Sequence, residues 1–127
     1  MEDKWRVKVY ESLNGDKPVE EFIKSLDKKA QLKIGRALDL FEEFGLEGVY
    51  PHVKKLKGSS LWELRILGAD SLRILYVTVT GKICLLLHGF QKKSQKTPVK
   101  EITVAQRRLI EYQSRKIGVD KYRKIAI

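Results

Sequence analysis

Residues 61–98 read LWELRILGADSLRILYVTVTGKICLLLHGFQKKSQKTP, and this stretch decides the fold. Leu61 to Leu67 and Ser71 to Val79 are strand-like runs rich in Leu, Ile and Val, separated by the tight link Gly68-Ala69-Asp70. Thr80-Gly81 turns the chain into a third run, Lys82 to Phe90. Links this short join antiparallel neighbours, so the spacing predicts a meander. The third strand empties into Gln91 to Lys96, QKKSQK, which holds three lysines and no acid. Such a loop is ordinarily only solvated, but here it precedes a helix predicted to start at Thr97 (N-cap) and Pro98, whose dipole also favours anions.

Working outward, Trp5 to Tyr10 alternates apolar and charged residues, the period of a half-buried strand. Asn14-Gly15-Asp16 turns the chain, and Pro18, Val19, Phe22, Ile23 and Leu26 outline a short amphipathic helix. Asp27 is a good N-cap for a second helix, with Leu32, Ile34, Leu38, Phe41 and Phe44 as its stripe and Gly45 as its stop. These two helices read as a hairpin lying on the sheet. Gly45 to Pro51 reads as a loop, and His52 to Gly58 as a lysine-rich approach to the sheet. In the last helix Ile102, Ala105, Leu109, Tyr112 and Ile117 face inward, Gly118 closes it, and DKYRKIAI forms a basic tail. Strands and helices are segregated along the chain, so the expected class is α+β, an antiparallel sheet of about four strands in one domain over residues 1–127.

The charge is lopsided. Of the formal net charge of +10, residues 1–50 contribute −2 and residues 51–127 contribute +12. A field of that kind concentrates phosphate backbones and makes affinity fall with salt. Cys84 is the one cysteine, on an apolar strand, which predicts a buried thiol and no internal disulfide. No run has the length of a membrane span, and MEDKWRVKVYES has no apolar core of a signal peptide, so a cytoplasmic protein with no membrane partner is expected.

Strand parity restricts which groups meet. Glu63 and Arg65 share a face, as do Arg73, Leu75 and Val77, and as do Cys84, Leu86 and His88. Arg65 and Arg73 flank the Gly68 link on paired strands and can reach one site. The ordinary reading of Arg65 is a surface salt bridge with Glu63. Two guanidinium groups above a lysine loop favour phosphate instead, because each binds its oxygens in bidentate fashion. His88 is a possible acid or base, although a lone histidine on an apolar strand is more often hydrogen-bonded core. Two distant histidines and one cysteine form no metal ligand set, and no phosphate loop, nucleophile elbow or other cofactor motif is visible. RNA cleavage needs none of these: the 2′-hydroxyl is the nucleophile, and the protein supplies positioning, charge stabilisation and proton transfer.

LWELRI followed by SLRILYVTVTGKICLLLHGFQKKSQKTPVKEITVA resembles the Gp49-like branch of the RelE/ParE toxin superfamily, the branch that contains HigB toxins. The resemblance implies a RelE-like fold and a toxin–antitoxin toxin that cleaves messenger RNA on the ribosome, without metal or small-molecule cofactor. It also implies a helix-turn-helix antitoxin as partner. Carried over by position, Arg73 stabilises transition-state charge, Arg65 positions the phosphate, and Lys93 transfers a proton or stabilises charge. Lys92 forms a basic pair with Lys93, and Lys54, Lys55, Lys57 and Lys96 are expected to hold RNA. RelE carries a lysine where Glu63 stands, and no residue is assigned as general base. ParE-type members inhibit gyrase, so a non-enzymatic binder is the alternative.

Overall fold

The structure is a computed structural model; it describes residues 4–66, 68, 71–93 and 96–126, and from residue 116 onward only the course of the helix. Strand β1 (Arg6–Val9) leads to helices α1 (Pro18–Lys24), α2 (Lys28–Phe44) and α3 (Leu46–Val49). Strands β2 (Val53–Lys55), β3 (Trp62–Arg65), β4 (Leu72–Val79) and β5 (Ile83–Gln91) follow, and then helix α4 (Val99–Ala126). They form a five-stranded sheet in the order β1-β5-β4-β3-β2.

The predicted α+β class and the β3-β4-β5 meander are present. The sheet differs in being mixed and larger: β1 runs parallel to β5, and β2 adds an antiparallel edge strand with Lys54 opposite Glu63. A three-residue strand carries too little alternation to be seen in sequence, and strand direction is set by the long crossover through the helices. Of the Gly68-Ala69-Asp70 link only Gly68 lies among the described residues.

Asp27 caps α2, its carboxylate accepting the Ala30 N–H at 2.8 Å. Gly45 ends it with φ +68°, a conformation that L side chains rarely adopt. The expected loop after Gly45 instead makes the helical turn α3. Gly118 does not close α4, whose backbone stays helical to Ala126; one glycine costs a helix about 1 kcal/mol, which a long helix absorbs. The side chain of Ile117 lies outside the described residues. Leu32 and Phe44, expected inside, are exposed, so the buried stripe of α2 is narrower and centres on Ile34 and Phe41.

Each face of the sheet buries its own core. Against α1 and α2 lie Leu64, Ile66, Leu72, Ile74, Tyr76, Cys84 and Leu86, packed on Val19, Ile34 and Phe41. Phe41 sits edge-on between Trp5 and Tyr76, each ring 5.5 Å away. Gly89 lets α1 approach β5 closely, since a Cβ there would collide with the Phe22 ring. Cys84 is buried, and desolvation pushes its thiol up to about 12, so it stays protonated at neutral pH. On the opposite face Leu61, Leu75, Val77, Leu85, Leu87 and Phe90 pack against Ala105 and Leu109 of α4. Among the described residues no helix is long and apolar enough to cross a membrane.

Candidate functional site

The face beneath α4 carries the polar groups. Antiparallel register sets Arg65 directly opposite Arg73, and Arg73 opposite Phe90. Directly opposed residues project to the same side, so the two arginines share this face. One row inward, Lys54, Glu63, Leu75 and His88 are successive register partners.

Glu63 is the hub of the cluster and the buried charged residue of the core, at 4 % exposure. Its Oε1 lies 3.7 Å from Nε of Arg73 and 3.5 Å from Nζ of Lys92, and its Oε2 accepts from the hydroxyl of Thr97. One carboxylate thereby ties β3 to β4, to the end of β5 and to the approach to α4. A buried carboxylate without such partners would cost several kcal/mol. Glu63 was expected to pair with Arg65, its neighbour by parity; its carboxylate instead pairs with Arg73 and Lys92, and Arg65 remains exposed. Thr97, expected to cap α4, gives its hydroxyl to Glu63, and Pro98 precedes the first helical residue. The side chains of Arg73 and Lys92 are 12 % and 9 % exposed. Lys92, expected to face RNA, turns its ammonium inward, whereas Lys93 and Lys96 stay exposed.

His88 was expected to share a face with Cys84 and Leu86, and it does not. A register shift at Leu75/Tyr76 pairs Leu75 with His88 but Tyr76 with Leu86, leaving Leu87 over. This bulge reverses the parity and turns His88 toward α4. Arg108 donates both to the Leu87 carbonyl, at 2.8 Å, and to Nδ1 of His88, at 3.3 Å. A guanidinium only donates, so Nδ1 must accept and the proton sits on Nε2, which donates to Glu101 at 2.8 Å. The Phe90 ring, which belongs to the row of the arginines, stacks on the imidazole at 5.5 Å. Both ring nitrogens are therefore engaged within the protein, apart from the arginine pair.

Burial lowers the His88 pKa and the hydrogen bond to Glu101 opposes that, while Arg108 lowers it further. A folded-state value below the unfolded one means that the unfolded chain takes up the proton first. Stability should be flat above about pH 6.5 and fall as pH drops below it toward the lowered folded value. Urea denaturation from pH 7.5 down to pH 5 checks this, with His88→Gln expected to flatten the part of the slope that His88 contributes. An unchanged slope in that variant would assign the acid sensitivity to other groups.

Lys54 and Lys57 are exposed, on the edge strand β2 and in the turn after it, and Lys55 hydrogen-bonds the Ser59 carbonyl at 2.6 Å. Beyond the end of β2, a groove of about 450 Å³ opens between α2, α3 and β3, with Arg65 among its lining residues. Among the described residues no cluster of His, Cys, Asp and Glu is placed to hold a metal ion. The sequence reading missed the hub role of Glu63 and Thr97 and the Glu101–Arg108 pair that fixes His88. The seven-residue spacing of Glu101 and Arg108 on one helical face was the available signal for that pair.

This order of strands and helices is a RelE-like fold. A chain of the archaeal RelE–RelB complex from Pyrococcus horikoshii OT3 matches with a TM-score of 0.54 at 20% identity, over 73% of this chain and 99% of that chain. The phage derived protein Gp49-like family matches residues 21–110, and the chain belongs to that family. No curated protein matches the chain significantly.

Proposed function

We propose that this protein is the toxin of a type II toxin–antitoxin pair and cuts messenger RNA on the ribosome. The observation that carries the reading is the register of β3 and β4, which sets Arg65 opposite Arg73 on one face. Membership of the Gp49-like family and the RelE-like fold support the toxin reading, and the partner is an antitoxin carrying a helix-turn-helix domain. Ribosome and message place its action in the cytoplasm.

The chemistry follows from the substrate. The 2′-oxygen attacks the neighbouring phosphorus and loses its proton, the bond to the 5′-oxygen breaks, and that oxygen takes up a proton. A 2′,3′-cyclic phosphate and a 5′-hydroxyl result. Arg65 grips a non-bridging oxygen, and Arg73 stabilises the charge that builds on the phosphorane. Guanidinium groups supply here the electrostatic stabilisation that a metal supplies elsewhere. Lys93 stabilises charge or carries the proton to the leaving oxygen. Arg73 is held by Glu63, so a phosphate entering the site competes with that carboxylate. His88, with both nitrogens engaged, is a poorer proton carrier than its strand position promised.

The closure of Arg73 and Lys92 onto Glu63 favours a second reading, a binder of RNA or of gyrase that does not cleave. Expression without antitoxin separates the two. Cleavage predicts arrested translation and messages cut within reading frames, whereas a gyrase inhibitor gives DNA breaks and intact messages.

Exposed lysines act through counterion release. Alanine at Lys54, Lys57 or Lys96 should weaken association with ribosomes and lower the log–log salt slope by about one charge each. Lys55 belongs to the same basic edge, but its bond to Ser59 predicts a smaller effect. Sedimentation with ribosomes at several salt concentrations measures this; identical slopes in the variants would remove these lysines from the interface.

A further inference from the structure

We infer that the groove between α2, α3 and β3 is a docking site for an amphipathic helix of the antitoxin, one with aliphatic side chains along one face and carboxylates beside them. The inference rests on the toxin reading above and adds the surface on which the partner seats. On α2, Lys33, Arg36, Ala37, Leu40 and Phe44 recur at the spacing of one helical side. The first four line the groove, and Val49 of α3 and Leu64 of β3 complete its aliphatic floor. The apolar surface continues past the groove: Phe44 is 61 % exposed, Tyr50 71 %, and Leu46 is exposed as well. Of the eight large apolar side chains exposed among the described residues, four fall within residues 40–50. A single exposed leucine is ordinary, but such a cluster marks an interaction surface. Gly48 seats α3 closely on α2, since a Cβ there would meet the Leu40 carbonyl and the Phe44 side chain, so the patch is formed before a partner arrives.

Position and chemistry select the occupant. The groove opens on the face of the sheet that carries α1 and α2, whereas the Arg65–Arg73 row faces α4. The sheet stands between them, and an RNA strand held at the arginines does not run on into the groove. An aliphatic floor that continues as an exposed stripe suits leucine-type side chains and gives a ribose and its phosphate little to bind. Backbone groups along α2 are bonded within the helix, so this wall offers no edge to an added strand, and recognition falls to side chains spaced as on a helix. Charge sets the sign of the partner. The lining holds Lys33, Arg36 and His52 and, among the described residues, no carboxylate; Asp39, Glu43 and Glu47 belong to the same helices and lie outside it. Lys33 hydrogen-bonds the Gly68 carbonyl, which leaves the exposed Arg36 as the principal partner for a carboxylate. The formal net charge of +10 steers an acidic partner toward the whole molecule, and the groove then fixes where it lies.

Titration of the full-length protein with a synthetic peptide carrying leucine at i, i+3, i+4 and i+7 and glutamate between, followed by amide chemical shifts, tests the site. The expected result is a saturable set of shifts centred on Ala37, Leu40, Phe44 and Tyr50. The same peptide with lysine in place of glutamate should bind about fivefold more weakly or worse, and AMP should leave these amides unmoved. Leu40→Asp and Tyr50→Ala should each weaken the glutamate peptide about fivefold or more, whereas Ile110→Asp, at an exposed position of α4, should change nothing. Arg36→Glu should erase most of the preference for glutamate over lysine. In cells, Leu40→Asp should stay toxic and escape rescue by the helix-turn-helix protein encoded beside the toxin gene. Shifts scattered over the basic surface, equal affinity in the Leu40→Asp protein, AMP occupying the groove in place of the peptide, or full rescue of that variant would each overturn the site. Peptide bound in the groove of a protein that cuts no message would leave the docking site standing and remove the nuclease. Cleavage by a protein whose groove ignores the peptide would do the reverse.

Discussion

Arg73→Ala should keep its fold and its ribosome binding and lose message cleavage by more than tenfold, the equivalent of about 1.4 kcal/mol or more in the barrier. Its guanidinium is fixed before substrate arrives: Nε lies 3.7 Å from Glu63, and Nη1 donates to the Leu72 carbonyl at 3.0 Å. Preorganised charge of this kind acts on the transition state without reorganising. Loss of Arg73 leaves Glu63 still supported by Lys92 and Thr97, so the cluster is weakened and not dismantled. Arg73→Lys separates the two contributions, because it keeps the charge and forfeits the planar fork that matches a phosphate. Cleavage of a reporter message in a reconstituted translation reaction gives the rates, with a thermal melt as control for folding. An Arg73→Ala protein as active as wild type would take this residue out of the mechanism.

Glu63→Leu should cost about 3–5 kcal/mol of stability, the usual penalty for removing one partner from a buried ionic cluster. Without the carboxylate, the Arg73 and Lys92 cations face one another at low exposure, and the Thr97 hydroxyl loses its acceptor. Glu63→Gln keeps an acceptor for Thr97 and should fall between that variant and wild type. A triple replacement of Glu63, Arg73 and Lys92 by apolar residues should regain most of the loss, since exchanging a whole buried ionic group is often neutral. Urea denaturation measures all of these. If Glu63→Leu unfolds at the wild-type midpoint, the three strands are not held together through this carboxylate.

Legibility in the sequence followed the range of the interactions. The β3-β4-β5 meander and the caps of α2 depend on turn chemistry and periodicity within a few residues, and both are present in the structure. The parallel partner of β1, the edge strand β2 and the continuation of α4 past Gly118 depend on contacts or helix length that no local window contains. For the site, alternation was enough to place Arg65 and Arg73 on one face. It failed for His88 because one extra residue at the bulge, Leu87, reverses the parity of everything beyond it. Glu63 was legible as a partner for an arginine but not for which one. Its contacts with Lys92 and Thr97 lie 29 and 34 residues away and are set by how β5 and α4 end and begin.

Mapping of message ends by primer extension, after incubation of the purified protein with a translating ribosome system, tests the central claim most directly. New 5′ ends inside the reading frame, dependent on ribosomes, matched by 2′,3′-cyclic phosphates upstream and absent with Arg73→Ala, are the predicted result. Full-length messages on ribosomes to which the protein is bound would contradict it.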